Sequence, residues 1–156
     1  MKKIVFLLAV LVLVLAACSP ADPVRDALEQ YAKEHMENPA SYKFANMSMP
    51  HNYTYMEDLI TYKTGIEGLM AKAADKAPYE AELEKVDDLL FELGNEVACF
   101  DRTLYFWFTP EGSQAKFQQF VIGRFTPDGR VIALTMDPES LPTYPALGIL
   151  KEQGRL

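Results

Sequence analysis

Few residues of this 156-residue chain are equipped for covalent or metal chemistry: two cysteines, Cys18 and Cys99, and two histidines, His35 and His51. A thiol becomes a nucleophile when a neighbouring base holds it as thiolate, so Cys99 with His35 or His51 folded against it would support thiol catalysis. The competing reading of Cys99 is a small buried hydrophobe at the start of a strand. His35 falls on a helix face and His51 in a turn containing Pro and Asn. Cysteines and histidines this widely spaced do not make a four-ligand zinc site by themselves. No G-x-x-x-x-G-K-[ST], G-x-G-x-x-G, H-E-x-x-H, G-x-S-x-G or C-x-x-C occurs, so phosphate loops, dinucleotide sites, zincins, serine-hydrolase elbows and thioredoxin-type sites have no motif. The sequence assigns no catalytic residue, no metal and no cofactor, and an enzyme is the weaker reading.

Two features suit non-covalent recognition instead. Glu80, Glu82, Glu84, Asp87, Asp88, Glu92 and Glu96 stand against Lys85 alone, and like charges four apart, as in Glu80 with Glu84 and Glu84 with Asp88, weaken a helix by a few tenths of a kcal/mol per pair. Such a face either is simply solvated or docks a basic partner; a Ca²⁺ role lacks the loop spacing of an EF-hand. In the apolar run Leu104-Tyr105-Phe106-Trp107-Phe108, strand alternation sends Tyr105 and Trp107 to the face opposite Leu104, Phe106 and Phe108. Those two aromatic residues either pack under helices or form a recognition patch. Tyr105, Trp107, Glu80, Glu84, Asp87 and Asp88 are therefore the candidate partner-binding residues.

At the amino terminus, Lys2 and Lys3 precede an uninterrupted apolar run over residues 4–17. A helix crossing a bilayer needs about 20 apolar residues, so this shorter run, ending in Ala16 and Ala17, reads as an export signal that is cleaved. Leu15-Ala16-Ala17-Cys18 then resembles the lipobox of bacterial lipoproteins. That resemblance implies cleavage after residue 17, diacylglycerol on the Cys18 thiol and acylation of the new amino terminus, palmitate-type chains that leave Cys18 unavailable as a thiol. Several acyl chains make a firm anchor where one binds only marginally. Ser19, rather than Asp, after the lipidated Cys implies the outer membrane in Gram-negative sorting, on its periplasmic or its surface face; in a host without an outer membrane the same anchor sits on the outer leaflet of its only membrane. The expected organisation is a signal peptide over residues 1–17, the lipidated Cys and a short tether over 18–22, and one domain over 23–156. Removing residues 1–17 takes away two Lys and no acid, so the formal charge moves from −7 to −9.

The elements follow from periodicity. Asp22-Pro23 is a helix start, with Val24, Leu28, Tyr31 and His35 as its stripe to about Met36, and Asn38-Pro39 stops it. Asn38-Pro39-Ala40-Ser41-Tyr42-Lys43-Phe44 resembles a segment of small bacterial envelope lipoproteins in which a helix ends and a first strand begins, a resemblance that implies no activity. Residues 41–49 alternate only irregularly, as an edge strand would. Thr54-Tyr55-Met56-Glu57 fits a capping box ahead of a stripe of Leu59, Tyr62, Ile66, Leu69 and Ala73. Gly65 and Gly68 each cost that helix up to about 1 kcal/mol unless a neighbouring backbone packs closely on them. A further stripe of Tyr79, Leu83, Val86, Leu90 and Leu93 closes at Gly94-Asn95. These two helices pair as an antiparallel hairpin or form one kinked rod.

From Val97 the pattern turns to strands, around residues 104–108 and 117–125, bounded by turns at Pro110-Glu111-Gly112-Ser113 and Pro127-Asp128-Gly129. Thr126 facing Arg130 would set Phe125 against Val131, Ile122 against Leu134 and Phe120 against Met136. That register buries the face of Phe120, Ile122, Ile132, Leu134 and Met136. It leaves Phe117, Val121, Phe125 and Val131 on the other face, for which the tail around Leu141, Tyr144, Leu147 and Ile149 is a candidate cover. The expected fold is α+β: an N-terminal helix and a two-helix segment packed on an antiparallel sheet of three to four strands.

A net acidic chain has the wrong sign for phosphate backbones, which excludes nucleic acid as an expected partner. What remains is a lipid-anchored envelope protein, inserted through Cys18, that acts as a non-catalytic binding or assembly module and meets an envelope protein. The alternative is an inhibitor or immunity-type protein against a basic enzyme or toxin, and a thiol enzyme using Cys99 is the least supported.

Overall fold

The computed structural model describes residues 22–156; the signal peptide, Cys18 and most of the tether lie outside the described residues. Helix α1 spans Pro23–His35, with Asp22 as N-cap accepting from the backbone N–H groups of Val24 and Arg25, both at 3.2 Å. A 3₁₀ turn at Pro39–Ser41 leads into β1 (Lys43–Met47), followed by β2 (His51–Thr54). The helical hairpin α2 (Tyr55–Met70) and α3 (Ala77–Leu93) comes next. The long strand β3 (Val97–Phe108), then β4 (Phe117–Phe125) and β5 (Val131–Thr135) follow, and the chain closes with α4 (Pro145–Glu152). Pro78 sits in the first turn of α3, where its missing N–H costs nothing.

This is an α+β fold with one antiparallel sheet of five strands, ordered β1-β3-β4-β5, in which β2 also pairs with β3. The fifth strand is β2, whose register runs His51↔Asp101 to Tyr53↔Cys99. His51 thus lies in a strand and not in a turn. An exposed four-residue strand carries no hydrophobic alternation, and only its pairing with the long β3 makes it one. β1 and β2 lie end to end along β3. Ser48 bridges the gap between them, its Oγ accepting from Thr103 N at 2.9 Å and its N–H donating to Thr103 O at 2.8 Å.

The core has two parts, one on each face of the sheet. On the first face α1 lays Val24, Leu28, Ala32 and Met36 against Leu104, Phe106, Val121 and Phe125. The buried stripe of α1 therefore runs through Ala32, while His35 is exposed and stacks on Tyr31 at 3.9 Å between ring centroids. On the second face, at the β3 amino-terminal end, a helical lobe joins Leu59 and Ile66 of α2, Val86, Leu89 and Leu93 of α3, and Ala146 and Leu150 of α4. Fully burying each Val, Leu, Ile, Met or Phe among them contributes about 1.5–3 kcal/mol.

The β4–β5 register departs from the expected one. Thr126 and Arg130 do close the turn, with Thr126 N on Arg130 O at 2.9 Å, and Gly129 takes the left-handed φ of 85°. Phe125 does face Val131, but the pairing then shifts by one residue to Arg124↔Ala133, Gly123↔Leu134 and Ile122↔Thr135. A one-residue slip exchanges the faces of a strand. Accordingly Val121 and Phe125 are buried under α1, Phe120 and Ile122 lie on the opposite face, and Ile132 is exposed. The tail likewise covers the other face from the one expected, through α4.

The hairpin expectation holds. Tyr55 N donates to Glu96 O at 3.2 Å and Met56 N to Gly94 O at 3.0 Å, fixing α2 antiparallel to α3. Those carbonyls satisfy the first N–H groups of α2, and Thr54 caps it without a side-chain hydrogen bond. Leu69 is 59% exposed despite its place in the stripe, and Ala73 lies beyond the helix.

Candidate functional site

The second face of the sheet is covered only at one end. Beyond Thr103 it carries Tyr105, paired with Phe120 on β4 and Asn46 on β1, and then Trp107, paired with Gln118 and Lys43. Among the described residues no helix covers these positions: Tyr105 is 36% and Trp107 42% exposed, whereas their strand neighbours Leu104 and Phe106 are fully buried. The Tyr105 and Phe120 rings pack at 6.3 Å between centroids, giving the patch a fixed aromatic floor. Lys43, Trp107 and Lys116 surround a shallow cleft of about 250 Å³. Beside the patch β4 has an open edge, because β5 pairs only as far as Ile122 and leaves residues 117–121 without an outer neighbour among the described residues. An open edge next to exposed aromatic rings is a template for strand addition.

The acidic residues sit elsewhere, on α3. Glu80, Glu84, Asp87 and Asp88 are all exposed. Asp87 is ion-paired with Lys63 of α2, and Glu92, one turn on, with Arg155. The remaining acids form a solvated negative face in the helical lobe, so the structure does not bring the two groups of candidate residues onto one surface. Among the described residues no three His, Cys, Asp or Glu side chains converge as metal ligands.

Cys99 is fully buried on β3. Burial pushes its thiol up to about 11, with the Arg124 guanidinium pulling the other way, which leaves about one molecule in ten thousand as thiolate at pH 7. His51 packs edge-on against Tyr53 at 4.9 Å between centroids, and His35 is held at the end of α1 with Nδ1 2.9 Å from Tyr31 O. This arrangement gives Cys99 neither an ionised state nor solvent access, and it stands as a core residue.

Beside Cys99 lies a polar cluster that the sequence reading missed. Arg124 donates from Nε to Asp101 Oδ1 at 2.8 Å and from Nη2 to Asp101 Oδ2 at 2.9 Å, and the two residues are 3% and 6% exposed. Tyr53 OH donates to the same Oδ2 at 3.1 Å, and Arg124 Nη1 donates to Pro142 O at 2.6 Å. The cluster ties β2, β3, β4 and the tail together. Asp58 of α2 does similar work, accepting from Ala146 N at 2.8 Å and so capping α4 from outside. The available signal was a charge of each sign, Asp101 and Arg124, beside apolar residues in two neighbouring strands; they face each other in the β3–β4 register.

Residues 1–19 match the family described as the prokaryotic membrane lipoprotein lipid attachment site. The chain is accordingly a bacterial lipoprotein, anchored to a membrane of the cell envelope through its N-terminal cysteine, Cys18. The match ends before the described residues begin, and the resemblance of residues 38–44 to small envelope lipoproteins gains no support from it. No curated protein and no solved structure matches the chain. Among the described residues no helix is long and apolar enough to cross a membrane.

Proposed function

We propose that this envelope lipoprotein is a non-catalytic binding module that holds a protein component of the envelope on the open half of its sheet. The observation that carries the reading is the exposure of Tyr105 and Trp107 on a strand whose alternate residues are fully buried. Large aromatic side chains at the centre of an interface contribute most of its binding energy. The flanking Lys43 and Lys116 favour a partner segment with acidic side chains, and the open edge of β4 lets that segment add as an extended strand.

The proposed organisation is a cleaved signal over residues 1–17, a tether over 18–22 and one domain over 23–156. Ser19 supports the outer membrane as destination. Asp22 lies 3.6 Å from Arg102, and Tyr105 and Trp107 follow Arg102 along β3 on the face away from α1. At about 3.3 Å per residue they lie about 10 and 17 Å further from the anchored end, a placement that suits a protein partner rather than lipid.

The test is cross-linked capture of the lipidated protein from its own envelope, comparing the natural chain with Trp107→Ala, Tyr105→Ala and Cys18→Ala. One stoichiometric partner, lost in the two aromatic variants, supports the reading. A partner retained by both variants refutes the assignment of this face. The second reading, an inhibitor of a basic enzyme or toxin, draws on the exposed acids of α3. It predicts binding that weakens steeply with salt and with Glu80→Gln and Glu84→Gln.

A further inference from the structure

A groove of about 850 Å³ opens in the helical lobe, between α2, α3 and the segment leading into α4, in the size range of small-molecule sites. Its walls carry Tyr62 and Ile66 of α2, Tyr79 and Glu82 of α3, and Tyr144 and Leu147. Gly65 lines it too, and a Cβ there would meet nothing within 4 Å. No neighbouring backbone therefore accounts for the glycine, which widens the groove at a cost of about 1 kcal/mol of helix propensity. Glu82 is the one charged residue among those that line it. Among the described residues no Lys or Arg lines the groove, nearby Lys63 is committed to Asp87, and α3 presents exposed Glu80 and Glu84, with Lys85, beside the Tyr79 wall. Glu82 accepts a hydrogen bond from Tyr62 OH at 3.1 Å, which orients its carboxylate at the tyrosine wall.

We propose that this groove binds an organic cation, an amine or quaternary ammonium carried on an apolar body. The ring faces of Tyr62, Tyr79 and Tyr144 are the negative ends of aromatic quadrupoles and attract a desolvated ammonium. Glu82 supplies the opposing full charge, and Ile66 and Leu147 cover the apolar body. An anion would meet ring faces and a carboxylate with no donor cation to offset them. A neutral apolar ligand would gain from burial alone. The site is independent of the sheet face, since it uses different elements and none of the same residues.

The test titrates the full lipidated chain, in a neutral maltoside detergent, with choline and separately with 3,3-dimethylbutan-1-ol, the uncharged isostere of choline. Binding is followed by NMR of the tyrosine side chains, with Trp107 as a remote internal reference. The expected result is that choline perturbs the groove tyrosines and binds about tenfold more tightly than the alcohol. Glu82→Gln, which keeps an acceptor for Tyr62, removes most of that preference while leaving the affinity for the alcohol unchanged. Equal affinities for the two compounds, or no perturbation of these tyrosines by choline, overturn the proposal whatever the behaviour of the variant.

Discussion

Replacing Asp101 by Asn tests the buried cluster that joins the sheet to the helical lobe. The carboxylate accepts two hydrogen bonds from Arg124 and one from Tyr53, at 2.8, 2.9 and 3.1 Å, in a site where the guanidinium is 3% exposed. Asn keeps the shape, removes the charge and turns one acceptor into a donor. The guanidinium then stays buried without a counter-charge, left with one neutral amide oxygen of the new side chain, Pro142 O and the Tyr53 ring as partners. Removing one member of a buried ion pair costs about 3–5 kcal/mol, a large part of the 5–15 kcal/mol that holds a typical domain together. With a urea slope of about 1–3 kcal/mol/M, the midpoint falls by about 2 M. The assay is urea unfolding of the mature lipoprotein in detergent, read by Trp107 fluorescence and by far-UV circular dichroism. The paired change Asp101→Leu with Arg124→Met removes both charges and recovers most of the loss, because no unpaired charge remains. A loss below about 1 kcal/mol in Asp101→Asn, or a double variant as unstable as the sum of the singles, would show that water reaches the guanidinium and refute the reasoning.

Three further outcomes follow from the packing. At Gly123 a Cβ would stand 2.6 Å from Phe125 Cε2 and 2.8 Å from Leu134 Cδ2, so Gly123→Ala costs about 1–3 kcal/mol by overpacking and lowers the melting temperature. Cys99 resists a thiol-specific reagent in the folded protein and reacts only at the rate of unfolding, whereas rapid labelling would contradict its burial. Burial pushes the Asp58 carboxyl above its ordinary value, against the N–H bonds it accepts from Ala146 and Leu147. A carboxyl raised on folding contributes stability that is fully present below its unfolded value and is lost as pH rises through its folded value. The stability of the natural chain relative to Asp58→Asn therefore falls as pH rises above about 4; urea midpoints at about pH 4 and about pH 7 check this, and a constant difference contradicts it.

Local rules carried much of this fold into the sequence. Asp22-Pro23 set the start of α1, the stripes of α2 and α3 paired them as a hairpin, and Pro127-Asp128-Gly129 placed the β4–β5 turn. What failed depended on tertiary pairing. β2 is a strand because β3 is long enough to hold a second neighbour, and nothing in His51-Asn52-Tyr53-Thr54 announces that. The shift between Phe125 and Arg124 inverted the assignment of buried and exposed faces on β4, since alternation fixes which residues share a face but not which face is covered. The Asp101–Arg124 pair was equally hidden, its members lying 23 residues apart and meeting only through strand register. Tyr105 and Trp107 were legible as an alternating aromatic pair, whereas their exposure depended on where α4 and the hairpin end. The groove needed three separated tyrosines brought together by the α2–α3 hairpin and the tail.

The most direct measurement places a photo-cross-linking amino acid at position 107 of the intact, Cys18-anchored protein in living cells, with position 84 as the comparison site. A single discrete adduct from position 107, absent from position 84 and lost with Cys18→Ala, is the result predicted for a module that presents its open sheet face to an envelope protein. An adduct from position 84 alone would transfer the binding role to the acidic helix, and no adduct from either position would contradict a protein partner on this face.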